Sequence, residues 1–378
     1  MAKIHLITGG TGFIGSKLIL ELLTQTDDEI ICIVRKSEEE TEKRLFSCLR
    51  KAADVYNYDK DILQEAQKRC KAVPGNVEAD YCGLKNALHD NISYFWHSAA
   101  NLRYQKKYQK EIFNANVNGT QNALNLAKSL NVECFYYIST AYVSGKNFGE
   151  IKEDYISDSG YNNYYELSKA SAEKIIYNTQ GINWKILRPS IVIGHSSTFG
   201  ATAFSGIYAF LKILIKFENN VHAKKPGFLN NEGIKMLVDQ KFYLNLVPID
   251  IVVKEAIMIF KSSSPERFFH LVNPTPPQIT TLVNATFDVI NLKRPLLCTT
   301  KEQFTATDEE LNKKMDFFNP YLIGNRLFNR KNTKQAIGTQ KFWNGESFSN
   351  SKLQSYYRWY LNNIVVRFIE YITNKPIN

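Results

Sequence analysis

The six cysteines of this chain (Cys32, Cys48, Cys70, Cys82, Cys134 and Cys298) include no Cys-x-x-Cys pair and sit near no metal-like histidine spacing. That scatter excludes a disulfide framework and a zinc module, so no metal is expected and the thiols read as reduced and structural. No apolar run reaches the roughly 20 residues that a bilayer span requires. A first strand starting near residue 3 is expected to leave no room for a signal peptide or an upstream domain. Internal repeats and low-complexity segments are also missing. The net charge of +10 comes with no nucleic-acid motif. These absences leave a soluble, cytoplasmic enzyme as the expectation. With 378 residues, 44% of them hydrophobic, one two-lobed unit or two domains can be filled.

The most telling stretch is Thr8-Gly9-Gly10-Thr11-Gly12-Phe13-Ile14-Gly15, between the apolar run Ile4-His5-Leu6-Ile7 and the helical pattern Ser16-Lys17-Leu18-Ile19-Leu20-Glu21-Leu22-Leu23. A glycine turn that joins a buried strand to a helix suits a dinucleotide. Gly9 and Gly12 permit a tight turn and close approach to a pyrophosphate, Gly15 lets the helix pack on the strand, and the helix start offers free N–H groups. An ordinary strand-to-helix turn could use the same glycines. An NAD site would carry an acidic residue about 20 positions past the loop, at the end of the next strand. Here Ile30-Ile31-Cys32-Ile33-Val34 ends in Arg35-Lys36. A guanidinium suits a phosphate, so Arg35, with Arg44 as a second contact, is expected to prefer the 2′-phosphate of NADP(H). The acidic run Glu38-Glu39-Glu40 leaves Lys36 and Arg44 open to a reading as solvated charges.

Strand and helix patterns alternate to about residue 195, with candidate strands at Lys71–Val73, Ser93–Trp96, Phe135–Ile138 and Trp184–Leu187. Such alternation predicts an α/β fold, a Rossmann-type doubly wound parallel sheet, with a smaller C-terminal mixed, mainly helical substrate lobe. The expected division is an NADP-binding domain over residues 1–200, with returning segments near 245–275, and a substrate lobe with a basic C-terminal segment over 201–378. Leu246–Asp250 and Phe269–Asn273 read as short returns to the sheet. Phe204–Phe217 is too short to span a bilayer and reads as a core or pocket-lining helix.

Tyr165 and Lys169 stand four residues apart, hence on one helix face. A free phenol has a pKa of about 10, too high for easy proton donation, so a lysine cation and an oxidised nicotinamide beside it are expected to lower it. Tyr161 and Tyr164 have no lysine at that spacing. Ile138-Ser139-Thr140-Ala141 ends a strand in hydroxyls that can orient a carbonyl at the sheet's ligand-binding edge, although such residues also serve as caps. In chain order these join His97-Ser98-Ala99-Ala100, Asn116-Val117-Asn118-Gly119-Thr120 and Leu187-Arg188-Pro189-Ser190.

With that ordered set in place, the chain resembles the extended short-chain dehydrogenase/reductase superfamily over at least residues 3–275. The resemblance implies Thr140 as the carbonyl-orienting hydroxyl, Tyr165 as general acid, Lys169 as the ribose-binding lysine and Asn116 as a supporting residue. It further implies cofactor-lining positions at Thr8, Thr11, Phe13, Ile14, Ala99, Ala100 and Pro189-Ser190-Ile191. Gly75-Asn76 departs from the usual Gly-Asp that contacts adenine, and Asn76 keeps an acceptor while adding a donor. Within the superfamily the chain is similar to thioester reductase domains and fatty acyl-CoA reductases. Ile33-Val34-Arg35 with Lys43-Arg44-Leu45, the Ser139–Val143 stretch, Phe269–Pro274, Pro320-Tyr321-Leu322 and Phe328-Asn329-Arg330-Lys331-Asn332-Thr333 carry that likeness.

The resemblance implies NADPH-dependent reduction of an acyl thioester to an aldehyde, with a second round giving the alcohol, as in lipid metabolism. Phe204–Phe217 and the C-terminal aromatics are offered for the acyl pocket and equally for packed core. A nucleotide-sugar epimerase or dehydratase, or a hydroxysteroid dehydrogenase, would keep the same triad, and an NADP-binding sensor could lose it. The thioester is expected in trans, on CoA or an acidic carrier protein. Residues 293–378 hold 14 Lys/Arg against 7 Asp/Glu, so this segment is the expected docking surface for a carrier or an anionic membrane. Tyr356-Tyr357-Arg358-Trp359-Tyr360 through Arg367-Phe368 is its candidate interfacial helix, with packing on the substrate lobe as the alternative.

Overall fold

The computed structural model describes residues 2–35, 40–84, 88, 91–157, 160–322 and 324–365. Lys36 and Arg367-Phe368 lie outside the described residues. Seven strands form one sheet: β1 (Ile4–Thr8), β2 (Glu29–Val34), β3 (Cys70–Pro74), β4 (Tyr94–His97), β5 (Cys134–Ile138), β6 (Trp184–Pro189) and β7 (Phe268–Leu271). Their order is β7-β6-β5-β4-β1-β2-β3, and every pairing is parallel. Strands covered on both faces read as near-continuous apolar runs, as Phe135–Ile138 and Ile30–Val34 do. The strand order reverses between β1 and β4, where Thr8 lies opposite His97, so a crevice for a ligand opens at their carboxyl ends.

Polar residues in this core are paired. His5 is fully buried in β1; its Nδ1 accepts from Trp96 Nε1 at 2.9 Å, so Nε2 carries the proton toward Asp28 at 3.0 Å. Trp96 stacks on Tyr136 with centroids 4.2 Å apart, which continues the register of β4 and β5 through their side chains.

The chain divides into two compact units. The first holds Met1–Ser190, Val247–Val272 and Leu327–Trp343. The expected boundary at 200 therefore moves to 190, and Leu327–Trp343, expected in the substrate lobe, folds with the first unit. A buried ion pair holds this return: Arg330 reaches both carboxylate oxygens of Glu255 at 2.6 Å. Glu153 meanwhile accepts the backbone N–H of His270 at 2.7 Å and of Thr333 at 3.3 Å. The Phe328–Thr333 motif thus serves as a clasp within the first unit. Phe268–Leu271 joins the sheet as its edge strand, as expected, whereas Leu246–Pro248 stands outside the seven-stranded sheet. Pro248 instead caps the helix Ile249–Lys261, whose first turn carries Asp250.

The second unit holds Ile191–Leu246, Asn273–Arg326 and Asn344–Asn378. Its apolar helix runs Ile207–His222 rather than from Phe204, because Gly206 takes a φ of +57° that ends the preceding turn. The helix buries Ile207, Tyr208, Phe210, Leu211, Leu214 and Phe217, so its apolar face is core of this unit. The helix Asn350–Tyr360 likewise turns Tyr356, Tyr357 and Tyr360 inward, and Tyr357 Oη accepts from Thr286 Oγ1 at 2.8 Å. An interfacial role for these aromatics is corrected accordingly, since the face that would enter a membrane is packed in the protein. Among the described residues no helix is long and apolar enough to cross a membrane.

Candidate active site

The glycine loop starts at the end of β1. Gly9 has a φ of +76°, and a Cβ there would sit 2.6 Å from the Ala99 amide nitrogen, so the loop passes against the chain leaving β4 with no room for a side chain. Gly12 N–H donates to the Gly9 carbonyl at 2.9 Å and closes the turn. A Cβ on Gly15 would collide with the Gly9 carbonyl, so the helix Phe13–Gln25 lies directly on the loop. No side chain caps this helix and no acid occupies its first turn, which leaves its amide end to an anion. Gly10, not singled out in the sequence, is held by the Cys32 side chain behind it. Ala99 N–H donates weakly to Thr8 Oγ1 at 3.4 Å, while Ala100 is exposed. A cradle that any Cβ would fill, beside an uncapped helix, fits the pyrophosphate of a dinucleotide.

Arg35 is exposed at the end of β2, and Arg44 donates to its carbonyl at 3.4 Å, so the structure brings the two expected 2′-phosphate contacts together. Asn76 is exposed after β3. Its Oδ1 accepts from Glu78 N–H at 3.2 Å, which commits the expected adenine acceptor to a local turn.

The helix Tyr164–Tyr177 starts with Asn163 as cap, accepting from Glu166 N–H at 3.0 Å, and so places Tyr165 and Lys169 in its first turns. Lys169 is buried and donates from Nζ to the Ile138 carbonyl at 2.6 Å, with its ammonium 4.1 Å from the centre of the Tyr137 ring. This bond anchors the helix at the end of β5, directly before Ser139-Thr140. Thr140 Oγ1 accepts from Tyr142 N–H at 3.2 Å; the hydroxyl therefore caps a turn and keeps its own proton to donate.

Asn116 joins the same cluster from a π-type turn at Asn114–Asn118. It accepts from Asn101 N–H at 2.6 Å and donates to the Asn101 carbonyl at 3.0 Å and to Ser168 Oγ at 2.9 Å. Ser168 in turn donates to the Tyr165 carbonyl at 2.8 Å. Pro189 closes β6, and Ser190 N–H reaches the Leu271 carbonyl at 3.3 Å. Ile191 falls in the second unit.

Burial governs the electrostatics. Lys169 is pushed down to about 7 by desolvation, with the Glu173 carboxylate pulling the other way. Desolvation and the neighbouring Glu166 raise the Tyr165 phenol above its ordinary value. The expected depression of Tyr165 by Lys169 is thus not present in the protein alone, because the Lys169 ammonium is directed at Ile138 and Tyr137.

Residues that the sequence did not single out complete the cluster. His97 is buried between Thr8 Oγ1 at 2.7 Å and Thr120 Oγ1 at 3.2 Å. Thr120 spends its proton on the Asn116 carbonyl at 2.7 Å, so His97 Nε2 must donate to Thr120 and Nδ1 must accept from Thr8. The ring is neutral, and burial beside Lys169 holds its pKa down to about 3. Behind the helix, Glu173 takes Arg188 Nε at 3.0 Å, Arg188 Nη2 at 2.7 Å and Ser139 Oγ at 2.5 Å, bolting β5, β6 and the helix together. Ser139 is thereby structural. Its neighbour Thr140 alone keeps a hydroxyl proton at the strand end.

A parallel sheet in this order, a glycine loop at its switch point and a Tyr-x-x-x-Lys helix beside it define an oxidoreductase of the extended short-chain dehydrogenase/reductase type. The chain belongs to the male sterility protein family of NAD-binding domains, which matches residues 7–256. It is similar to a linear gramicidin synthase of Brevibacillus parabrevis, 26% identical over 74% of this chain and 5% of that protein. The large subunit of L-2-aminoadipate reductase from Eremothecium gossypii is 28% identical over 71% of this chain and 19% of its own length. A putative fatty acyl-CoA reductase of Drosophila melanogaster is 22% identical over 66% and 53% respectively. The chain thus spans a small part of the first two relatives and about half of the third.

Among solved structures, the terminal R domain of the myxalamid PKS-NRPS pathway superposes with a TM-score of 0.74 at 24% identity, covering 96% of this chain and 91% of that one. The Bordetella bronchiseptica enzyme WbmG, solved with NAD, gives a TM-score of 0.62 at 17% identity over 96% and 95%. At these identities the likeness is one of fold.

Proposed function

We propose that this protein is an NADPH-dependent reductase of acyl thioesters, releasing a thiol and an aldehyde and, in a second round, the alcohol. The observation that carries this reading is the cluster on the carboxyl edge of the sheet. Lys169 is bonded to Ile138 one residue before Ser139-Thr140, and Asn116 is bonded through Ser168 to the Tyr165 backbone. The relatives, among them an aminoadipate reductase and a putative fatty acyl-CoA reductase, suggest the substrate class.

In this reading Thr8–Gly15, Ala99 and Ala100 hold the dinucleotide, Lys169 binds its ribose, and Pro189-Ser190-Ile191 border the nicotinamide. Arg35 and Arg44 select the 2′-phosphate; Asn76 stands near the adenine. A bound NADPH supplies a hydride to the thioester carbonyl carbon. Thr140 Oγ1–H donates to the carbonyl oxygen and Tyr165 Oη–H gives the developing oxyanion its proton. The hemithioacetal then loses thiol as its hydroxyl proton leaves, and the aldehyde forms. Asn116 positions the Tyr165 helix. The six free thiols, four of them buried, support a reducing compartment, the cytoplasm.

The test is NADPH consumption against a panel of acyl-CoA and acyl-carrier thioesters, with thiol release and carbonyl products measured. Consumption with stoichiometric thiol supports the reading. Turnover of nucleotide sugars or hydroxysteroids without thiol release overturns it.

A further inference from the structure

The segment that follows Asn101 has no part in the chemistry above, yet it is tied to the site at two points. Asn101 exchanges two hydrogen bonds with Asn116, and the Tyr104 carbonyl accepts from Tyr164 N–H at 3.4 Å, one residue before Tyr165. Between and beyond these anchors the side chains face water. Leu102 is 59% exposed, and Arg103, Lys106, Lys107 and Lys110 are all exposed. Glu111 is the sole carboxylate from 101 to 111, and it is taken by Arg103, whose guanidinium also lies 4.3 Å from the Tyr108 ring centre. Lys107 Nζ lies 4.9 Å from the centre of the same ring. Among the described residues, Lys106, Lys107 and Lys110 form no ion pair.

We propose that Leu102 and these three lysines are the docking rim for an acidic acyl-carrier protein that presents its thioester to Tyr165. This rests on the thioester-reductase reading. Unpaired, exposed cations steer an acidic partner without any internal bond having to break. A large apolar side chain among them gives a protein surface something to cover, which a nucleotide phosphate would not. The anchors to Asn116 and Tyr164 hold the rim at the mouth of the reaction rather than at a distance from it.

The experiment compares wild type with Lys106→Glu/Lys107→Glu/Lys110→Glu, and with Leu102→Asp, on three probes: dodecanoyl-acyl carrier protein, dodecanoyl-CoA and dodecanoyl-pantetheine. NADPH binding confirms that each variant is folded, and the triple Lys→Gln variant serves if the Glu variant is not. The rim predicts that KM for the carrier rises on the order of tenfold or more with its salt dependence flattened, while kcat/KM for pantetheine is unchanged. Carrier binding is also read directly by calorimetry, so the surface is judged even if no probe turns over and the reductase reading fails. An equal loss on the CoA probe with pantetheine unaffected means that the lysines read nucleotide phosphates, and the carrier proposal falls. It falls equally if all three probes lose activity together, or if carrier binding to wild type is absent or indifferent to the variants.

Discussion

After residue 293 the cations are mostly bonded. Arg294 meets Asp288 at 2.8 Å, Lys314 meets Glu310 at 3.3 Å, Lys352 pairs with Glu346, and Arg330 is buried on Glu255. At 106–110, three lysines in one short stretch form no ion pair among the described residues. The segment with the larger surplus in the sequence is therefore the one whose charge is largely answered within the protein. A count of residues gives net charge; the field at a surface depends on which cations have partners, and that is a property of the folded chain.

The contrast breaks first at its most buried member. Glu255→Ala should strand Arg330 and destabilise the protein by about 3–5 kcal/mol in chemical denaturation, the usual loss when one partner of a buried pair is removed. A change within 1 kcal/mol would show that the clasp does not hold Leu327–Trp343.

Tyr165→Phe separates docking from chemistry. Turnover should fall by about 100-fold or more while NADPH and carrier binding stay near wild type, because the proton donor alone is lost. Retention of more than about a tenth of the rate would remove Tyr165 from the role of general acid.

Arg35 is a third kind of cation, exposed but set beside Arg44. Arg35→Asp should shift the NADPH/NADH preference by about tenfold or more toward NADH in kcat/KM, since a bidentate phosphate contact is lost and an acceptor for the 2′-hydroxyl is gained. An equal loss for both cofactors would make the residue structural.

Lys169 supplies a pH signature. Its pKa is about 7 when folded and near 10.4 in an unfolded chain, so between those values the unfolded chain binds the extra proton. The resulting penalty is full below pH 7 and fades as pH rises toward the free-lysine value. Stability of wild type should therefore climb with pH relative to Lys169→Met, in melts of the two proteins run in parallel. Parallel curves would refute a depressed Lys169. The smallest effect belongs to Arg294→Ala, an exposed pair whose loss should stay within about 0.5 kcal/mol.

The sequence by itself determined what depends on neighbours along the chain. The glycine loop, the β1–helix–β2 unit, the strand alternation and the four-residue spacing of Tyr165 and Lys169 are local patterns, and backbone sterics and helix periodicity make them readable. Tertiary structure decided the rest. Asn116 meets Ser168 across 52 positions and Arg330 meets Glu255 across 75, neither pair carrying a spacing signal. The tautomer of His97 follows from Thr120, whose proton is claimed by Asn116. The aromatics of Asn350–Tyr360 present the same amphipathic pattern to a membrane or to a core, and only the packing of Tyr356 and Tyr357 inside the second unit tells them apart. Burial and pairing are set by residues that topology brings from far along the chain, which is why they could not be read in advance.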